Sequence, residues 1–463
     1  MFYRAEKFFE NMKGKRVAFC GIGRSNLPLI SMFMKYGADV YACDRRTLDQ
    51  LDKETAEQLK KDGAKLLLGA DYLKNIDVDV IFRTPGMNYF LPELVDARKR
   101  GIIVTSEMEV FLDICPCKMF AVTGSDGKTT TTTIIAKMLE NQGYKVHLGG
   151  NIGRPLLPII EEIGIDDCAV IELSSFQLIS TRKSPDVSVI TNVAPNHLDV
   201  HKDMDEYINA KKNIMIHQNA FSRTVLNADN QITNSFMDEV RGQTLMFSYN
   251  GSVENGTYRG ADNALYYNDR NGVVKVLEKS DIKILGEHNV ENFLAAIAAV
   301  WGYVTPENIK KTANEFRGVE HRIEFVRELD GVKYYNDSIA TSPSRTIAGL
   351  AAFNQKVILI GGGYDKHIPF EVMAPHAVEK IKILILCGPT APKIEKVVRE
   401  HKDFEKSGMQ IINVDNLEQA VAVAHEKAVD GDIVTLSPAC ASFDAYANFE
   451  LRGKHYKELV NSL

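Results

Sequence analysis

The sequence predicts an α/β protein in three domains, and three observations lead there. Strand-length apolar runs alternate with helical stretches through the first and last thirds, the pattern of parallel, doubly wound sheets. A strand, a Gly-containing turn and a helix recur at the start of the second third. The length of 463 residues corresponds to about three domains at roughly 150 residues each.

The first strand is KRVAFCG (15–21), followed by a helical stretch over 26–36 and a second strand, DVYACD (39–44). Further units run through VDVIFRTPG and GIIVTSE to Cys115-Pro116-Cys117, where a boundary is expected. The second domain, 118–320, opens with KMFAVTG (118–124). Its first helix carries Ile134, Ile135, Met138 and Leu139 on one face. Strands CAVIEL (168–173) and DVSVITNV (186–193) follow. Residues 245–285 have short strands and Asn/Gly turns, the look of an antiparallel patch, and GEHNVENFLAAIAAV starts a buried helix. The third domain, 321–463, begins with IEFVRELDGVKYY, a hairpin turning on Asp330-Gly331. KVILIGGG, KILILCG and DIVTLSP supply its strands.

Composition narrows the function. A formal charge of −6 argues against a surface that grips polyanions broadly, so no nucleic-acid partner is expected, though a local phosphate site remains open. No stretch reaches the roughly 20 apolar residues that span a bilayer, and the amino terminus does not read as a secretory signal. A cytoplasmic protein without membrane contact is expected, with a monomer as the working state. Seven cysteines spread over a long chain read as reduced, mostly buried thiols. The Cys115-Pro-Cys117 spacing does not suit zinc.

The sharpest chemical signal is Thr123-Gly124-Ser125-Asp126-Gly127-Lys128-Thr129-Thr130, between a strand and a helix. Glycines let successive backbone N–H groups turn inward, and the helix N-terminus adds a positive dipole. Lys128 supplies a point charge for β- and γ-phosphates, and the Thr129 hydroxyl suits Mg²⁺. Val122 stands where the standard pattern has its first glycine, so a chance Gly-Lys-Thr turn is the competing reading. Glu172 closes the strand CAVIEL beside that loop, where Mg²⁺ takes one or two carboxylates with phosphate oxygens and water. His197 follows the next strand and gains interest only together with Lys128 and Glu172. Gly21-Ile-Gly23-Arg-Ser25-Asn26, with Asp44 ending the next strand, comes close to a dinucleotide fingerprint, but Asn26 replaces the third glycine. It suggests a nucleotide-like or diphosphate ligand without identifying nicotinamide.

Taken in order, TGSDGKTT, GNIG, IELSSFQL, NVAPNHLD, NAKKN, GEHNVEN, EHRIEF, NDSIATSP, GGGYDK and SPACASFDAYANFELRG resemble the Mur ligases over essentially the whole chain. NDS-x-AT and the last stretch point to the D-glutamate-adding branch. The resemblance implies Rossmann-like first and third domains around a central P-loop ATPase-type domain. It implies ATP-dependent ligation of D-glutamate to UDP-N-acetylmuramoyl-L-alanine through an acyl phosphate, with two Mg²⁺ ions, in peptidoglycan precursor synthesis. The first domain would hold the UDP-sugar and the second ATP, and the third would close over both with D-glutamate.

By the same resemblance, Lys128, His197 and Lys211 are catalytic, and Thr129, Glu172, His197 and Lys211 hold metal. Lys211 matches a lysine that the family carbamylates, with Lys212 adjacent. Gly124 to Thr130, with Asn289, Asn292, Arg322 and Asp337, would bind ATP. Ser25, Asp44, Arg45, Arg46 and Asn151 would contact the UDP-substrate, and Thr341, Lys366, Ser442 and Phe449 D-glutamate. Two departures stand out: Ile339 where many relatives have lysine, and Asp126 in place of a commoner asparagine. The rival readings are another amino-acid-adding Mur ligase, a nucleotide-binding regulator without ligation, and a nicotinamide oxidoreductase built on Gly21-x-Gly23.

Overall fold

The computed structural model describes residues 3–74, 76–196, 200–366 and 368–463. Among these residues the chain is a mixed α/β protein with three sheets. It divides into two compact units, Met1–Ile282 with His288–Asn314, and Lys283–Glu287 with Glu315–Leu463.

The first unit holds two sheets. Strands β1 (Arg16–Cys20), β2 (Asp39–Asp44), β3 (Lys65–Leu68), β4 (Val80–Arg83) and β5 (Ile103–Thr105) form a parallel sheet in the order β3-β2-β1-β4-β5. β1 is apolar and almost wholly buried because helices cover both faces of such a sheet. The second sheet runs from β6 (Lys118–Thr123) through β7 (Val146–Gly150), β8 (Cys168–Glu172), β9 (Val187–Ile190), β10 (Arg223–Asn227) and β11 (Gln243–Ser248). β12 (Gly256–Arg259), β13 (Leu265–Asp269) and β14 (Gly272–Leu277) extend it to the order β14-β13-β12-β11-β10-β9-β6-β8-β7. The antiparallel patch expected from 245 onward is narrower than its composition suggested. β11 and β12 pair in parallel, and only β12-β13 and β13-β14 are antiparallel. The chain between β11 and β12 makes a return before pairing, which turn residues alone do not reveal.

One hydrophobic core runs through both sheets of this unit, from Ala5 and Phe9 through Phe82, Phe111 and Met119 to Tyr207 and Phe236. Polar contacts reinforce it. Buried Arg83 donates to Ser180 Oγ at 2.7 Å and to the Phe176 carbonyl at 3.1 Å. Glu107, on the helix Glu107–Ile114, is buried and its Oε1 accepts the Leu156 and Leu157 N–H groups at 2.9 and 2.8 Å. Burial dominates over those two bonds and pushes its carboxyl up from 4.5 to about 6. The folded chain therefore holds this proton more tightly than the unfolded chain. The associated stability is complete below pH 4.5 and is lost as pH rises through about 6, a change of roughly 2 kcal/mol. Glu107→Gln keeps a carbonyl oxygen for the two N–H groups and removes the titration. Its melting temperature is expected to fall less than the wild-type's between pH 4.5 and pH 7, measured by thermal denaturation across that range.

The second unit carries the third sheet, with β15 (Glu324–Leu329), β16 (Val332–Asn336), β17 (Val357–Gly361), β18 (Ile381–Leu386), β19 (Gln410–Asn413) and β20 (Ile433–Leu436). Its order is β15-β16-β20-β17-β18-β19, parallel except for the β15-β16 hairpin. Asp330 and Gly331 both take positive φ, 50° and 75°, the geometry that a two-residue turn needs to match strand twist. All seven cysteines are unbridged and all but Cys387 are buried.

Candidate active site

In the central sheet β6 lies between β8 and β9, so three strand ends meet the loop that precedes the helix Lys128–Gln142. The five threonines 129–133 are poor helix formers, and their hydroxyls find local work instead. Thr132 and Thr133 donate to the carbonyls four residues back, both at 2.8 Å. Thr129 Oγ1 donates to Glu172 Oε2 at 2.7 Å. The apolar face, Ile134, Ile135, Met138 and Leu139, is buried and holds the helix to the sheet.

The loop is fastened from the β9 side. Asn192 accepts from two successive loop amides: its carbonyl takes the Ser125 N–H and its Oδ1 the Asp126 N–H, both at 2.9 Å. Ser125 Oγ donates to the Ala194 carbonyl at 2.9 Å and lies 3.0 Å from the Tyr207 hydroxyl. At Gly124 a Cβ would sit 1.9 Å from Thr191 Oγ1, so only glycine permits this approach. The Asp126 side chain is exposed.

Glu172 is buried, and its carboxylate is shared between Thr129 and Asn151, whose Nδ2 donates to Oε1 at 2.6 Å. Thus Asn151, assigned from sequence to the UDP-substrate, rests on the carboxylate assigned to metal. Lys128 Nζ donates to the carbonyls of Gly124 and Ser125 at 3.0 and 2.8 Å. The two adjacent lysines part on the helix Met204–Lys212. Lys211 points inward, is buried, and donates to the Gly124 carbonyl at 2.7 Å, with its ammonium 4.6 Å from the Tyr207 ring centroid. Lys212 instead pairs with Glu239 on the outside. Burial, aided by the charge of Lys128, pushes the Lys211 ammonium down to about 7, against the opposing pull of Asp126 and Glu172. His197 lies outside the described residues. Among the described residues no three His, Cys, Asp or Glu side chains gather as a metal cluster. The oxygen donors of Glu172 and Thr129 do fit a hard cation whose other positions come from phosphate and water.

A cavity of about 120 Å³ lies at the other side of the loop, lined by Gly127, Asn192, Phe247, His288 and Asn292 among others. Asn292 Oδ1 accepts from Thr131 at 3.1 Å, and its Nδ2 donates to Asn289 Oδ1 at 2.8 Å. Asn292 therefore lines the space, and Asn289 orients it.

On the first sheet, Asp44 Oδ2 accepts the Ile22 N–H at 2.7 Å, while Arg46 grips both carboxylate oxygens at 2.9 to 3.0 Å. Burial would raise this carboxyl, but Arg46 and the backbone N–H groups outweigh it and hold it below the usual range. Asn26, in the third-glycine position, is buried and donates to the carbonyls of Cys20 and Gly21. Ser25 is half-buried, and Arg45 is exposed.

The second unit assembles its own group. Lys366 Nζ donates to Thr341 Oγ1 at 3.1 Å, and burial, then Arg345 and Arg452, push its ammonium down. Ser442 is buried, and Phe449 opens the last helix with its ring edge-on to His321. Asp337 is buried against Ser437 Oγ at 2.7 Å, and burial pushes its carboxyl up to about 7. Arg322 is exposed between His321 and Ile323, both at positive φ. At Ile339 no side-chain cation is available, but Arg345 donates to the Ile339 carbonyl at 3.2 Å.

Sequence reasoning missed Arg452. It is buried and donates to Ser338 Oγ and to the carbonyls of Ser338, Cys440 and Ala441, tying the NDS and SPACAS stretches together. Tyr207 and Asn192 were also missed as loop supports. Asn192 and Arg452 lay inside quoted motifs, whereas nothing local marked Tyr207.

Comparison with known proteins decides the family. The chain matches the Mur ligase middle domain over residues 122–300 and the Mur ligase, glutamate ligase domain over 321–440. The chain belongs to the Mur ligase family. A UDP-N-acetylmuramoylalanine–D-glutamate ligase of Acetivibrio thermocellus is 54% identical to it, covering 98% of each chain. One from Clostridium acetobutylicum is 51% identical over 99% of this chain and 98% of its own. In fold, the chain is similar to the UDP-N-acetylmuramate-alanine ligase of Thermotoga maritima, with a TM-score of 0.58 at 19% identity, covering 97% and 99% of the two chains. A UDP-N-acetylmuramoyl-L-alanyl-D-glutamate–2,6-diaminopimelate ligase gives a TM-score of 0.55 at 16% identity, covering 98% of this Mur ligase and 94% of that chain.

Proposed function

We propose that this Mur ligase joins D-glutamate to UDP-N-acetylmuramoyl-L-alanine at the expense of ATP, releasing ADP and phosphate, in cytoplasmic peptidoglycan precursor synthesis. The observation that carries the reading is identity above half, over nearly the whole length, to a relative bearing that activity in its name. The site supports it. A free carboxylate acylates poorly, so the muramoyl-alanine carboxylate attacks the γ-phosphorus of ATP and becomes an acyl phosphate while ADP leaves. The D-glutamate amine then adds to the acyl carbon, and the tetrahedral intermediate expels phosphate.

Bringing two anions together needs positive charge and fixed geometry. Lys128 and the loop amides of residues 124–130 receive the triphosphate. Adenine takes the cavity beside Asn292, with Arg322 and Asp337 serving the ribose and phosphates. Thr129 and Glu172 would hold Mg²⁺, with His197 and a carbamylated Lys211 for a second ion, and the ions would screen the phosphates. A lysine poised near neutrality carries the free amine that adds to carbon dioxide. Ser25, Asp44, Arg45 and Arg46 of a Rossmann-like first domain take the UDP-sugar, with Asn151 of the second domain at its pyrophosphate. Thr341, Lys366, Ser442 and Phe449 take D-glutamate, whose two carboxylates call for the ammonium of Lys366 and hydroxyl donors. Holding the reactants in position supplies roughly 7–11 kcal/mol of the barrier. Among the described residues no helix is long and apolar enough to cross a membrane.

The experiment is an acceptor panel. Phosphate release is expected only when ATP, UDP-N-acetylmuramoyl-L-alanine and D-glutamate are all present. Equal release with L-lysine or L-alanine would overturn the assigned acceptor.

A further inference from the structure

The second unit contains a cavity of about 360 Å³ that the reading above leaves unused. It opens where the sheet reverses its order. β17 and β20 are neighbours, yet the chain leaves β17 toward β18 and reaches β20 only after β19. Segments following two such strands part, and open parallel sheets form ligand crevices there. Gly361 ends β17 with Gly362 and Gly363 after it, Gly388 follows β18 and Asp415 follows β19, and all line the cavity. At Gly362 a Cβ would lie 2.0 Å from the Cys387 carbonyl oxygen, so the floor is bare backbone.

Charge decides what fits. Asp415, Glu418 and Asp444 line the space. Arg452, the lining guanidinium, is committed to Ser338, Cys440 and Ala441. His455 is held by the Tyr446 hydroxyl at 2.7 Å and lies 3.5 Å from Glu418. A phosphate or carboxylate would meet net negative charge, whereas Leu417, Leu436 and the Tyr446 ring offer apolar wall. The same field is felt by the lining acids. Burial first, then Asp444 and Glu418, push the Cys387 thiol up to about 11, and burial with Glu418 pushes the Tyr446 phenol up to about 12.

We propose that this cavity binds a small organic cation, an alkylguanidinium or alkylammonium, and that its occupancy strengthens binding of the acidic amino-acid substrate. The coupling clause rests on the proposed function and the binding clause does not. Asp444 stands two residues from Ser442, and Gly363 three from Lys366. Positive charge placed there offsets carboxylates near the D-glutamate donors, and linkage makes the effect reciprocal.

The test titrates the full-length chain with butylguanidine and its neutral isostere butylurea by calorimetry, in wild-type and in Glu418→Gln/Asp444→Asn. Both substituted side chains are exposed, and circular dichroism with the single Glu418→Gln variant checks that folding is retained. Saturable butylguanidine binding is expected, at least about tenfold weaker in the double variant, with butylurea not bound. Absent binding, equal affinity in the double variant, or equal binding of butylurea would overturn the site. Under ligation conditions butylguanidine is expected to lower the KM for D-glutamate in wild-type and not in the double variant. An unmoved KM beside intact binding overturns the coupling alone, and a chain that binds butylguanidine but does not ligate overturns the proposed function instead.

Discussion

Lys211→Ala is expected to lower ATP-dependent phosphate release by at least about 100-fold, the scale of losing one charge-stabilising group in a closed site. Lys211→Arg is expected to fail equally. The native side chain is buried, bonded to Gly124 and lowered to about 7, so a free amine is available near neutral pH. A guanidinium never loses its proton in a protein and adds no carbon dioxide. Wild-type activity should accordingly fall in carbon-dioxide-depleted buffer and return with bicarbonate. Coupled phosphate-release assays of the three proteins in both buffers read this directly. Near-normal turnover by Lys211→Arg, or indifference of wild-type to bicarbonate, would remove the carbamate from the mechanism.

Lys128→Ala should lose about 10²- to 10³-fold in turnover and most of its affinity for ATP, measured by steady-state kinetics and calorimetry. Its ammonium rests on the Gly124 and Ser125 carbonyls, within the loop proposed to receive the phosphates. A second effect follows from the neighbouring lysine. Lys128 is one of the influences that hold the Lys211 ammonium down, so its removal lets Lys211 keep its proton to higher pH. The residual activity of Lys128→Ala should therefore rise toward alkaline pH relative to wild-type. An unchanged pH profile would show that the two lysines do not communicate.

The sequence made most of the geometry of the candidate phosphate loop legible because its parts are local. A strand, a glycine turn and Lys128-Thr129 sit within one stretch, and Glu172 ends an apolar run where a carboxylate is out of place. The Asp330-Gly331 turn was equally plain, since that dipeptide has few other uses. What stayed hidden depends on long-range placement. Arg452 lies in the quoted SPACASFDAYANFELRG stretch, but its tie to Ser338, Cys440 and Ala441 shows only once they close around it. Glu107 reads as part of an amphipathic helix, and its bonds to Leu156 and Leu157 join segments about 50 residues apart. The parallel β11-β12 pairing was misread because turn composition reports where a chain bends and not which way it returns. That Lys211 is buried and Lys212 is not depends on the helix phase relative to the sheet.

The shared interior of the first unit bears on how the chain is made. Its apolar contacts begin at Ala5 and Phe9 and are completed only with Phe236. A ribosome must therefore deliver more than half of the polypeptide before that interior can shut. Until then the apolar surface that later meets Tyr207 and Phe236 is open to solvent and to chaperones, so synthesis exposes this enzyme to aggregation chiefly during its first half.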